Sequence, residues 1–186
     1  AILGEIVQKV SGISLKEFLR KEFFKPLGMK DTALGMDGLP EERVPNLKLP
    51  PEQEGVDWGW NSPYWRNLCP ARGGMFSTVE DLTRFLRMLL NGGEFQSKRI
   101  FSRSTVETMI RDQTSLMPLV PNAQKVMIRG GLGWRLAPSS CWGFFGDFLS
   151  PGSFGHGGAT GTVFWADPKR DITFALLTTQ PSIWSS

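Results

Sequence analysis

The single histidine of this chain, His156, stands in the glycine-rich run Gly155-His156-Gly157-Gly158-Ala159-Thr160-Gly161. Imidazole moves protons near neutral pH, and glycines beside it let a ligand approach the backbone. The run misses the dinucleotide-binding fingerprint and leads into a strand, not a helix. No G-x-x-x-x-G-K-[ST] phosphate loop occurs. Pro151-Gly152-Ser153-Phe154-Gly155 has the outline of a nucleophile elbow with proline in place of its first glycine. An elbow opens a helix, and here a glycine-rich strand entry follows. Any Ser-His-Asp triad would have to use His156. Cys69 and Cys141, with one histidine, cannot make a zinc site of the usual Cys/His kind and set up no disulfide framework. Neither a metal nor a cofactor is expected.

The elements that hold these residues come from 186 residues of 20.7 kDa, 40% hydrophobic and 21% charged. That is enough for one packed domain. Lys plus Arg is 21 and Asp plus Glu is 18. The charges interleave, as in KEFLRKEFFK, and never form a basic block, so neither a nucleic-acid nor an anionic-membrane partner is expected. No apolar run approaches the roughly 20 residues of a membrane helix. Ile2, Leu3, Ile6, Val7 and Val10 share one helical face from the second residue onward, which reads as part of something longer. Gly12 closes this helix, and Ser14 with Glu17 forms a capping box for the next, which Pro26 and Gly28 close. Prolines between Leu34 and Pro70 forbid long helices and leave a long loop region. A third helix starts after Ser77 or Thr78, carries the Leu82, Phe85, Leu86, Leu89, Leu90 stripe and ends at Asn91-Gly92-Gly93. A short helix follows from about Ser104, boxed to Glu107.

The last third reads as sheet. Leu132–Leu136 is a short strand, and Thr160–Ala166 and Asp171–Thr179 are strands joined by a type I turn at Asp167-Pro168-Lys169-Arg170. Strands joined so closely pair antiparallel. The pattern is α+β, an antiparallel sheet covered by helices, in a single partial domain: residues 1–112 helical and loop, 130–180 sheet.

Four segments in order carry a resemblance: AILGEIVQKVSG, KPLGMKDT, GGMFSTVEDLTRFLRMLLNGG and FGHGGATGTVFWADP. Together they resemble the serine β-lactamase-like family, the class C-like penicillin-recognising hydrolases with their DD-peptidases, D-aminopeptidases and family VIII esterases. The resemblance covers almost the whole chain and implies part of a β-lactamase/transpeptidase-like fold. The family works with S-x-x-K, Y-x-N and K-T-G or H-x-G. Only the last is present, as His156-Gly157-Gly158. No Ser has Lys three positions on, and the only Tyr, Tyr64, stands in Y-W-R. The family places the other two motifs upstream of the helix that opens this chain. The resemblance therefore implies the C-terminal part of a hydrolase, inactive alone, whose partners are the missing N-terminal part of the same protein and a small-molecule or peptide acyl substrate.

By that resemblance the Ala159 N–H is one oxyanion-hole donor, and the other belongs to the absent serine. His156 faces the substrate where relatives often carry Lys, as a partner for a carboxylate or the Tyr oxygen. Gly157 and Gly158 let substrate lie along the strand. Plainer readings stand beside these. His156 is otherwise an ordinary turn residue. Gly73 and Gly74 are turn geometry. Trp58, Trp60, Tyr64 and Trp65 are loop packing more than a substrate wall. Met36, Met75 and Met88 are core, and Lys169 and Arg170 a solvated tip. The alternative for the whole is a non-catalytic binding domain of the same fold. A small unrelated α+β module is a third reading.

Overall fold

The structure is a computed structural model and describes residues 1–36, 38–137 and 145–181. They gather into two compact units, one built from Ala1–Leu82 with Gly158–Thr162 and the chain from Leu177, the other from Thr83–Gly157 with Val163–Leu176.

In the first unit, α1 (Ile2–Ser11) ends on Gly12, whose φ of 73° and N–H to the Gln8 carbonyl form the left-handed cap. Gly4 is the residue α1 buries, because a Cβ there would press on Ala71 Cβ at 2.8 Å. The apolar stripe turns the other way, leaving Ile2, Leu3, Ile6 and Val10 exposed. The Ser14 hydroxyl accepts from the Glu17 N–H to start α2 (Leu15–Leu19). Pro26 does not stop this helix. A π-turn, Arg20–Phe24, moves the Lys25 N–H onto the Arg20 carbonyl, and α3 (Lys25–Leu27) carries Pro26 to the left-handed Gly28. A proline in a helix frees a carbonyl one turn back, and a wider turn is one way to absorb it.

Two sequence motifs meet here. In KPLGMKDT, the Thr32 hydroxyl donates to Asp81 Oδ2 at 2.8 Å, and the Asp31 N–H donates to the same oxygen at 2.9 Å. In GGMFSTVEDL, Ser77 Oγ lies 2.8 Å from Thr32 Oγ1. β1 (Ala33–Leu34) pairs antiparallel with β2 (Met75–Phe76) directly beside them. Asp81 and Thr32 are buried. Asp81→Ala strands two donors, and each buried donor without an acceptor costs about 1–3 kcal/mol. The variant is expected to unfold at a clearly lower urea midpoint, with Asp81→Glu falling between. Met75 is exposed, not core, although Leu34, opposite it on the partner strand, is buried. Met36 is half-buried. In the long loop region, Ser62 caps a short helix the proline count hid, α4 (Pro63–Asn67), with Pro63 at its first position. Proline fits there because that N–H has no helical partner.

α5 (Val79–Leu90) begins in the first unit, where the Thr78 hydroxyl accepts from the Asp81 N–H, and continues in the second. There Leu86, Met88 and Leu89 are buried. Gly92 and Gly93, at φ 62° and 92°, end it. β3 (Glu94–Phe95) and β4 (Lys98–Arg99) form a hairpin through Gln96 and Ser97, both at positive φ. Ser102, not Ser104, caps α6 (Arg103–Met109), by accepting from the Thr105 N–H. α7 spans Asn122–Met127.

The sheet runs β5 (Arg135–Leu136), β6 (Phe154–Gly158), β7 (Thr162–Asp167), β8 (Ile172–Leu176), in that order. β5 is shorter than its apolar run, since Gly133 bends away at φ 78°. β7 and β8 pair antiparallel from Val163↔Leu176 to Asp167↔Ile172, as the alternation implies. Trp134 is the hub of this unit. It stacks on Phe85 of α5 at 6.2 Å and meets Phe154 and Phe164 edge-on at 5.1 and 5.9 Å. Offset and edge-on rings satisfy the aromatic quadrupole.

The β7–β8 turn is anchored rather than idle. The buried Asp167 carboxylate accepts from the Ser150, Lys169 and Arg170 N–H groups and from Arg170 Nη1 at 2.8 Å. Arg170 also reaches the Phe148 carbonyl and Ser150 Oγ, so it is no mere solvated tip. Arg87 grips Asp171 with Nη1 and Nη2 on separate carboxylate oxygens, at 2.7 and 3.2 Å.

Candidate active-site strand

β6 is built to be thin. A Cβ on Gly155 would sit 2.5 Å from the Phe164 carbonyl and 2.6 Å from Trp165 Cβ. Phe154 before it is fully buried. His156 follows in mid-strand and is exposed. Its Nδ1 lies 2.7 Å from the Gly157 carbonyl. A carbonyl can only accept, so Nδ1 carries the proton in this contact, and Nε2 of the neutral ring is left as the acceptor. Gly157 and Gly158 are half-buried. A Cβ on Gly158 would run into the Thr162 hydroxyl, so this glycine has a packing reason of its own.

The strand ends in a turn. The Gly161 N–H returns to the Gly158 carbonyl, which places Ala159 and Thr160 at the two central positions. Ala159 is exposed. Outside the regular ladder its N–H finds no backbone acceptor among the described residues. The turn is held from the far end of the chain. Thr178 Oγ1 approaches the Thr160 and Gly161 carbonyls at 3.2 and 3.0 Å. Next to it, the Thr179 carbonyl accepts from the Lys48 N–H at 2.7 Å. Nothing in the sequence singled out Thr178. A threonine in a strand-like tail carries no mark of the turn it serves.

Other candidates fall elsewhere. Ser153 of the elbow-like run is fully buried, with an Oγ that has no hydrogen-bond partner among the described residues. No substrate reaches it. The Cys69 thiol is half-buried and points at the Leu34 and Asn67 carbonyls. Cys141 lies outside the described residues, as does Trp184. Trp58 and Tyr64 are exposed, so packing does not account for these two. Trp60 and Trp65 are half-buried. Gly73 adopts φ 83°, and a Cβ on Gly74 would collide with Pro70, so both glycines serve the backbone.

Helices against an antiparallel sheet, with a glycine-rich strand that carries the sole histidine and runs into a tight turn, define the class. The Beta-lactamase family model matches residues 1–183, and the chain belongs to that family. It is 26% identical over 198 residues to a protein of Salmonella heidelberg (strain SL476) named "Putative D-alanyl-D-alanine carboxypeptidase", covering 97% of this chain and 43% of that protein. Among solved structures it resembles a penicillin-binding protein homologue from Caulobacter crescentus, with TM-score 0.67 and 23% identity over 96% of this chain and 50% of that one. It also resembles a β-lactamase from Mycobacterium bovis, with TM-score 0.63 and 26% identity over 96% and 53%. The chain thus spans about half the length of the relatives it matches. Its fold is the mixed helix and antiparallel-sheet architecture of β-lactamases and their transpeptidase-like relatives. No helix among the described residues is long and apolar enough to cross a membrane.

Proposed function

We propose that this chain is the C-terminal part of a serine hydrolase that works through an acyl-enzyme on an ester, amide or lactam, and that it supplies the substrate-binding strand and half of the oxyanion hole. The observation that carries the reading is the family match across residues 1–183, which includes β6 and its turn. The nucleophilic serine and its lysine base belong to an S-x-x-K segment that these 186 residues do not contain.

In this reading the serine oxygen attacks the substrate carbonyl as its proton passes to the base. The oxyanion that forms lies against the Ala159 N–H and the N–H of the nucleophile itself. Collapse expels the leaving group with a proton and leaves a serine ester, which water then hydrolyses. Gly157 and Gly158 give the substrate backbone a surface without side chains. His156, with Nδ1–H committed to the Gly157 carbonyl, offers Nε2 as an acceptor while neutral and as a donor to a carboxylate when protonated. The Salmonella relative's name adds peptides ending in D-alanyl-D-alanine as the first substrate class to try.

The test is covalent labelling. A longer protein that joins this chain to its S-x-x-K half is expected to take up a fluorophosphonate or penicillin probe at one serine. The 186-residue chain is expected to take up none. Labelling of one serine in the chain alone would refute the reading, and absence of labelling in both would favour a non-catalytic binding domain of the same fold.

A further inference from the structure

We infer that Thr178 is a positioning residue for the oxyanion hole, acting on the Ala159 N–H through two successive peptide planes. The inference rests on the hydrolase reading above and adds to it a residue that touches neither substrate nor reacting atoms. A trans peptide is planar, with its C=O and N–H pointing in opposite directions. Fixing one end of such a plane aims the other.

The first plane joins Thr160 to Gly161. Its carbonyl accepts from the Thr178 hydroxyl at 3.2 Å, and its N–H donates to the Gly158 carbonyl at 3.2 Å. The second plane joins Gly158 to Ala159. Its carbonyl is the one filled from Gly161, so its N–H, that of Ala159, points the opposite way, out of the turn. Thr178 shares its hydroxyl proton with the Gly161 carbonyl at 3.0 Å, and the Gln180 carbonyl lies at 3.4 Å. Every link from Thr178 to Ala159 runs in the same sense, donor to acceptor, and hydrogen bonds in series polarise one another. The series both aims the Ala159 N–H and makes it a better donor.

Both sides of this contact are shaped for it. Gly161 adopts φ 76°, and a Cβ on it would run into Thr178 Oγ1 and the Gln180 carbonyl. Only glycine lets the turn come so close. The segment that carries Thr178 is fixed in its turn. The Thr179 carbonyl accepts from the Lys48 N–H at 2.7 Å, and the Asn61 side chain holds both the N–H and the carbonyl of Leu47 at 2.8 Å. A β-branched side chain is stiff at χ1, so the Thr178 hydroxyl is in place before substrate arrives.

Single-turnover acylation by an activated ester, in a longer protein that carries the S-x-x-K half, tests this. Thr178→Val keeps the side chain's shape and deletes the hydroxyl. It is expected to slow acylation about tenfold, a smaller loss than deleting the donor itself, with KM unchanged. Thr178→Ser keeps a hydroxyl and should retain most of the rate. Added to Ala159→Pro, Thr178→Val should cost nothing further, because the donor it acts on is gone. A threonine that only stabilised the fold would give the same added loss in both backgrounds. In the same protein, isotope-labelled for nuclear magnetic resonance, Thr178→Val should speed hydrogen exchange of the Gly161 amide about tenfold and move the Ala159 amide proton upfield. An undiminished acylation rate in Thr178→Val would overturn the inference, as would a further loss in the double variant. A wild type that does not acylate at all would refute the hydrolase reading instead. Unchanged Gly161 and Ala159 amides in Thr178→Val would overturn the positioning role in either case.

Discussion

Asp167→Ala is expected to lower the unfolding temperature by roughly 10 °C, following a loss of about 3–5 kcal/mol. Asp167 is 1% exposed. Burial alone would push its carboxyl upward. The Ser150 N–H, the Arg170 guanidinium, Ser150's side chain and the Arg170 N–H outweigh that and hold it well below the usual carboxylate range. Removing the carboxylate leaves Ser150, Lys169 and Arg170 without their shared acceptor, in a turn that fixes the β7–β8 register. The sign of the pH dependence follows. A carboxyl with a lowered folded value stabilises the fold fully above its unfolded value of about 3.9, and that contribution fades as pH falls toward the folded value. Wild type should therefore lose stability steeply on acidification below about pH 4, while Asp167→Asn starts lower and falls less. Thermal unfolding followed by circular dichroism across that range reads both effects. Parallel acid limbs for the two proteins would remove Asp167 as the cause.

Ala159→Pro is expected to lower kcat by about 10²–10³ in a longer protein that carries the S-x-x-K half. The substitution deletes one N–H and little else. Ala159 is the first central residue of the Gly158–Gly161 turn, a position where proline is favoured in type I and type II turns. Gly158 before it tolerates the restriction that proline imposes. The fold should survive while the oxyanion loses a donor. Ala159→Gly keeps the N–H and should retain most of the rate. The measurement is single-turnover acylation with an activated ester, where the loss belongs in the chemical step rather than in KM. A proline variant that acylates at the wild-type rate would take Ala159 out of the chemistry.

Much of this architecture was legible because local rules and packing agreed. The β7–β8 hairpin followed from alternation on both sides of a proline turn. The helix ends at Gly12, Gly28 and Gly92-Gly93 followed from the left-handed cap. His156 was placed on a strand by its neighbours. Other features answer to contacts that no short window contains. Asp81 is one of two acids in the first turn of α5, yet its work is to receive Thr32 and the Asp31 N–H from far up the chain. Arg170 is exposed as a hairpin tip should be, but the buried carboxylate it serves leaves no mark in the local sequence. The β3–β4 turn escaped because Gln96 and Ser97 adopt positive φ without the usual glycine or asparagine. α1 deceived in another way, since its packing side is Gly4 and its apolar stripe faces out.

The Thr178 hydroxyl, set against two carbonyls of the β6–β7 turn, has a practical consequence. The last described residues act as a splint on Ala159, although they lie nearly twenty positions along the chain from it. A protease cut just after Leu176 would release that splint. A preparation nicked before Thr178 should be assayed apart from intact protein before any loss of rate is charged to a substitution.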